Sequence, residues 1–230
     1  MPKFEPLTPQ DHGKLRLRPR TEPDPHFVQI VPSEFPAAAA SSAILFTKDP
    51  ETGGFYAGAM FGFKPNEPAL KSVTERDGFE PLTLQRDGFF IAEERIVIDR
   101  DNPRFSENEG EPLFDDSGEP SVRLRHIQRV LGQLHAGLQA SKAFIAALTE
   151  LKLIEPIDIS LRFDDGEKLS LRSLYTVSLD SLHALDDAAV LRLFRAGHLQ
   201  LAYLMAGSLQ QIGILARTRN QRLSQIGDRS

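Results

Sequence analysis

A chain of 230 residues with 40% hydrophobic and 26% charged side chains can bury a sizeable core and reads as a soluble globular protein. Its formal charge of −5 argues against nucleic acid as a partner, because phosphate binding needs a clustered basic face. The absence of cysteine excludes disulfides and thiolate chemistry, which fits a reducing compartment.

The chain opens Met-Pro-Lys-Phe-Glu-Pro, without the apolar stretch of a cleaved export signal. Its most apolar window, Leu199 to Leu209, is about half as long as a membrane-spanning helix. The expectation is a cytoplasmic protein with no membrane span, with non-classical export to the cell surface left open.

Residues 1–25 are rich in proline and poor in large apolar side chains, and read as an irregular basic arm. Inside it Lys14-Leu-Arg-Leu-Arg-Pro-Arg20 alternates with period two, which suits an edge strand guarded by its charges or a basic patch for an acidic partner. The rest, 26–230, is predicted to be one domain. Its strand-rich part, 26–98, starts with strands over Phe27–Val31 and Ala43–Thr47. A short helix from Ser33 lies between them, with Ser33 as its cap. After the turn Lys48 to Gly54 comes a strand from Phe55 to Phe63, where Gly58 and Gly62 predict close approach of another element. Gly88 to Ile98 reads as an interrupted strand or a hairpin. With fifteen Phe and no Trp in the chain, Phe is the expected filler of this sheet.

An acidic connector, 99–120, follows, with eight carboxylates against Arg100 and Arg104. Ser121 then caps a helix in which Leu124, Ile127, Leu131, Leu134, Leu138, Ser141, Ile145 and Leu148 recur at steps of three and four. Gly132 and Gly137 in its interior predict a neighbouring backbone packed close. Beyond Leu153-Ile-Glu-Pro156 a hairpin over 157–173 turns at Asp164-Asp-Gly166. Only a three-residue loop puts its apolar residues on one face, opposing Leu161 to Leu169 and Ile159 to Leu171, with Asp158 against Arg172 on the other. Helices follow over Leu179–Leu185, Asp187–Ala196 and His198 to about Gln225, with Asp186 and Gly197 as caps. Leu199 to Leu215, apolar on nearly every side, offers a core helix or a homo-oligomer interface, while Arg217, Arg219 and Arg222 read as a solvated tail. The fold class predicted is α+β: a mostly antiparallel, Phe-rich N-terminal sheet packed against a helical C-terminal half containing a β-hairpin.

Chemical motifs are scarce. There is no nucleophile elbow, phosphate loop or dinucleotide fingerprint, and no cofactor is expected. The six histidines form no metal-binding spacing. Asp99-Arg-Asp-Asn-Pro-Arg imitates the start of a calcium loop, but Gly110 stands where the bidentate Glu belongs, so no metal site is assigned.

The order of segments is similar to the SapC family of bacterial proteins. The pieces that carry the resemblance are Val31-Pro-x-Glu-Phe-Pro-Ala-Ala with Ile44-Leu-Phe-Thr47, and Pro81-Leu-x-x-Gln-Arg-x-x-Phe89. Ser106-Glu-x-Glu-Gly-Glu-Pro-Leu-Phe-Asp115, Leu153-Ile-Glu-Pro156 and Leu174-Tyr-Thr-Val177 complete them. The chain departs from the family pattern before Pro81, where Glu67-Pro68 and Phe79 replace an Asn and a Trp. The resemblance implies a surface-layer association and a genomic setting beside TonB-dependent receptors, and it brings no family active site. The functional reading is a non-enzymatic binding or accessory protein for a peptide or protein partner, through Arg86, Arg104, Glu107, Glu109 and Glu111. The alternatives are an enzyme with a polar site at the sheet–helix junction and a structural surface-layer component.

Overall fold

The computed structural model describes residues 3–65, 69, 70, 76 and 78–227; the departure at Glu67-Pro68 lies outside them. The elements run β1 (Phe4–Pro6), α1 (Pro9–His12), β2 (Arg16–Leu17), β3 (Phe27–Gln29), α2 (Phe35–Ser41), β4 (Ala43–Lys48), β5 (Phe55–Met60) and α3 (Leu82–Gln85). Then come β6 (Phe89–Ala92), β7 (Arg95–Asp99), β8 (Phe105–Ser106), β9 (Glu111–Pro112) and the long helix α4 (Val122–Glu150). The chain ends with β10 (Ile154–Arg162), β11 (Lys168–Val177), α5 (Leu179–His183), α6 (Asp187–Arg195), α7 (His198–Ser208) and α8 (Gln210–Gly227). It is an α+β protein with antiparallel sheets and a helical C-terminal region. Contacts divide it into two compact units, Met1–Glu22 with Leu82–Ala136, and Pro23–Pro81 with Gly137–Ser230.

The first unit contains two small sheets, ordered β1-β7-β6 and β8-β2-β9. The segment predicted to be an irregular arm therefore supplies two strands and a helical turn. Leu15 and Leu17 are buried with Phe89, Ile98, Phe105 and Leu113, against Leu124, Ile127 and Leu131 of α4. Each such side chain contributes roughly 1.5–3 kcal/mol on burial, so the segment is held by its leucines. Nor is β2 an edge strand. It lies between two strands of the acidic connector, Arg16 and Leu17 opposing Ser106 and Phe105 on one side and Pro112 and Glu111 on the other. The connector is thereby pinned to β2 at two places while its glutamates stay exposed. Gly110 makes this possible: at φ +102 it lies so near β2 that an added Cβ would meet Leu17 O at 2.5 Å. The interrupted strand is a hairpin, β6–β7, whose two turn residues Glu93 and Glu94 both have positive φ.

The second unit is built on one five-stranded sheet, β10-β11-β4-β5-β3. The C-terminal hairpin thus joins the strands of the first half instead of standing apart. The three-residue loop is as expected: Leu161 opposes Leu169, Ile159 opposes Leu171, and Gly166 has φ +87. The Asp158–Arg172 pairing does not form. The register shifts between Ile157 and Ile159, and Ser173 takes φ +61 as the extra residue of a bulge. The hairpin also begins earlier than predicted, at Ile154, because Ile154 to Pro156 pair with Tyr175 to Val177.

Helix boundaries are set by caps. Ser121 Oγ accepts from Leu124 N–H at 3.2 Å and Asp186 Oδ1 from Ala189 N–H at 2.7 Å, as their positions predict. Ser33 does not cap its helix. No side chain takes that role in α2; the buried Glu34 carboxylate instead closes the preceding 3-10 turn by accepting from Val31 N–H at 2.9 Å. Gly137 on α4 has Val31 packed on it, and Gly58 has the Phe27 ring, whereas nothing lies within 4 Å of a Cβ at Gly132. The helix predicted from His198 onward is interrupted at Leu209, where Leu209 N–H bonds to Ala206 O. By length and composition His198–Ser224 meets the requirement for crossing a membrane, with 28% of its apolar window buried in the protein. Of the three arginines read as a solvated tail, Arg217 is exposed as expected, but Arg219 and Arg222 pack onto the protein. Arg219 is buried over the Phe163 ring and bonded to Glu167, and Arg222 donates to Ala69 O and Leu70 O.

Candidate functional site

The residues singled out in the sequence all belong to the first unit, where the guanidinium groups serve the backbone. Arg104 is 5% exposed; its Nη1 donates to Asp87 O at 3.0 Å and Gln85 O at 3.4 Å, and its Nε to Arg18 O at 3.4 Å. Arg86 Nη1 donates to Phe89 O at 3.1 Å and its guanidinium lies 4.7 Å from the centre of the Phe90 ring. Burial pushes the Arg86 pKa below its ordinary value, the neighbouring Asp87 opposing the shift. The carboxylates point elsewhere. Glu107, Glu109 and Glu111 are exposed and pair with Arg100 at 3.3 Å, Arg18 at 3.2 Å and Arg123 at 4.0 Å respectively. Arg86 and Arg104 meet around the Gln85–Asp87 backbone, and the three glutamates do not join them.

The second unit has a cleft of about 460 Å3 on the sheet face that carries Phe27, Thr47, Tyr56 and Met60. Phe63, Lys64 and Pro65 close one side, and Leu169, Leu171, Arg172 and Leu174 of β11 close another. The bulge explains this wall. Leu171 and Leu174 are three residues apart, so an unbroken strand would turn them to opposite faces, while the extra residue Ser173 keeps both on the cleft. Thr47 Oγ1 fastens the bulge by donating to Ser173 O at 3.1 Å.

Electrostatically the cleft is one-sided. Among the described residues His26, Lys64 and Arg172 line it and no carboxylate does. Lys64 is tied to Glu167 just outside, and hydrogen bonds from Lys64 first and Arg219 second hold that carboxylate below its usual range. Arg172 makes no ion pair among the described residues. The Tyr56 phenol is pushed above its ordinary value by burial and then by the Asp49 charge, so it stays a neutral hydroxyl at neutral pH. An apolar floor, a neutral phenol and the Arg172 guanidinium suit an anionic group carried on an apolar body. Sequence reasoning missed these residues because they come from four separated segments. One signal was present: the period-two pattern of Lys168 to Ser173 breaks at Leu174, which marks a bulge. Among the described residues no group of three or more His, Asp or Glu is arranged to hold a metal ion.

The SapC family model matches residues 7–215, most of the chain. No curated protein matches, and no solved structure does.

Proposed function

The chain belongs to the SapC family, and we propose that it is a non-enzymatic binding protein that holds a peptide or protein partner in the cleft of its five-stranded sheet. The observation that supports this is the positive charge of Arg172, which makes no ion pair among the described residues, over an apolar floor in a chain of net charge −5. The recognised element is an extended segment with an acidic side chain or terminal carboxylate beside apolar residues. A carboxylate there gains a charge-assisted hydrogen bond from Arg172, and apolar neighbours cover Met60, Leu169 and Leu171. The family's association with surface layers and TonB-dependent uptake gives the setting for such a partner.

The test is site-directed photocrosslinking from position 47 in producing cells, with the adduct identified by mass spectrometry. A peptide copied from the crosslinked segment is then titrated against the purified protein. The expected result is a single predominant adduct, whose peptide binds and loses at least about tenfold affinity to Arg172→Glu. Equal labelling with and without Arg172→Glu, in a protein that keeps its melting temperature, would defeat the proposal.

A further inference from the structure

A second groove of about 560 Å3 lies where the second half of α4 passes the start of β5, away from the cations of the cleft. Phe55, Leu138, Ile145 and Ala146 make it apolar, and Leu138 is exposed there to 36% despite being a leucine. Its polar members are Gln29, Tyr56, Ser141, Lys142 and Thr149. Ser141 occupies the one non-apolar position of the α4 stripe; it is 9% exposed and its Oγ has no hydrogen-bond partner. Helical hydroxyls ordinarily return to the carbonyl four residues back, and Thr149 on the same helix does so, donating to Ile145 O at 2.8 Å. Ser141 does not, so among the described residues an unsatisfied hydroxyl that costs stability is kept buried in the groove wall. Beside it stands Lys142, exposed and making no ion pair among the described residues.

We propose that this groove binds a linear aliphatic carboxylic acid. The hydrocarbon chain lies along Phe55, Leu138, Ile145 and Ala146. The carboxylate accepts a hydrogen bond from Ser141 Oγ and neutralises the Lys142 ammonium. Among the described residues Lys142 is the one cation that lines the groove, which matches one monoanion. The volume lies within the range of about 300–1,000 Å3 usual for small-ligand pockets.

The test is calorimetric titration of the full chain with decanoate, kept below its micelle-forming concentration, and with decanol as the neutral counterpart. The expected result is saturable one-to-one binding of decanoate, weakened at least about tenfold by Lys142→Gln and by Ser141→Ala, with decanol much weaker. Ser141→Ala also separates ligand binding from a structural role. Removing an unsatisfied buried hydroxyl raises the melting temperature of the ligand-free protein, whereas loss of decanoate affinity follows only from a contact with ligand. The proposal is overturned by no saturable binding up to about 1 mM, by affinities unchanged in both variants, or by decanol binding as tightly as decanoate. Because none of these residues lines the cleft, the two binding proposals stand or fall separately.

Discussion

Gly137→Ala and Gly132→Ala make the same chemical change in the interior of one helix, and the structure predicts opposite outcomes. In an open position the substitution gains about 1 kcal/mol, because glycine gives up more backbone freedom than alanine on entering a helix. Gly132 is such a position, with nothing within 4 Å of an added Cβ. At Gly137 the new methyl would lie 2.5, 2.6 and 2.9 Å from Val31 Cγ2, Cβ and Cγ1. Val31 is fully buried, and its β-branched side chain has little rotamer freedom with which to withdraw. Overpacking of this kind costs about 1–3 kcal/mol, and a clash with the Cβ itself belongs at the upper end. With the helix gain subtracted, Gly137→Ala is expected to lose about 2 kcal/mol. Urea unfolding followed by circular dichroism measures both variants. Adding Val31→Ala to Gly137→Ala tests the cause, since the double variant should lose less than the sum of the single ones. A Gly137→Ala protein as stable as Gly132→Ala would refute the argument.

Three further expectations follow from particular contacts. The β6–β7 turn asks Glu93 and Glu94 for φ +49 and +62, conformations that cost ordinary residues roughly 1–2 kcal/mol each; Glu93→Asn with Glu94→Gly should therefore raise the melting temperature by a few degrees. Glu167 is held below its ordinary value of 4.5 by Lys64 and Arg219, so its contribution is present above pH 4.5 and fades as pH falls through the lower folded value. Glu167→Gln should accordingly be less stable than wild type at neutral pH and indistinguishable from it at strongly acid pH, as thermal melts across pH would show. A gap that persists in acid would remove the ion pair as its cause. Arg104→Ala strips three backbone carbonyls of a buried donor and is expected to cost about 3 kcal/mol, while Glu107→Ala with Glu109→Ala, at exposed pairs, should cost less than about 1 kcal/mol in denaturant titration.

Local chemistry made the second half legible. Ser121 and Asp186 cap their helices because an oxygen at that position reaches the free N–H groups of the first turn. The hairpin register followed from keeping Ile159, Leu161, Leu169 and Leu171 on one face. What the sequence did not disclose is decided by partners far away in the chain. Arg16 and Leu17 read as an exposed strand, yet their partners lie some ninety residues on, in the acidic connector. Arg219 reads as a solvated cation at a helix end, yet Phe163 and Glu167, at the tip of the hairpin, bury it. A charged side chain carries no mark of whether the apolar part of its stem or its head will find a cover.

The same reasoning separates the loop that attracted attention from the surfaces that bear the proposals. The connector is dense in ionisable groups, but the ones singled out there are matched: Glu107, Glu109 and Glu111 by single arginines, Arg104 by carbonyls. Density of charge along a sequence therefore measured the cost of pinning an irregular segment to β2. A binding surface is marked instead by groups left unmatched after folding, such as Arg172 over the cleft and Ser141 Oγ beside Lys142. Those groups stand out only once the other partners have been assigned, and that assignment is a property of the tertiary structure. Ser141 came nearest to an exception. A lone hydroxyl in a stripe of otherwise apolar residues was visible in the sequence, and its meaning depended on the groove beside it.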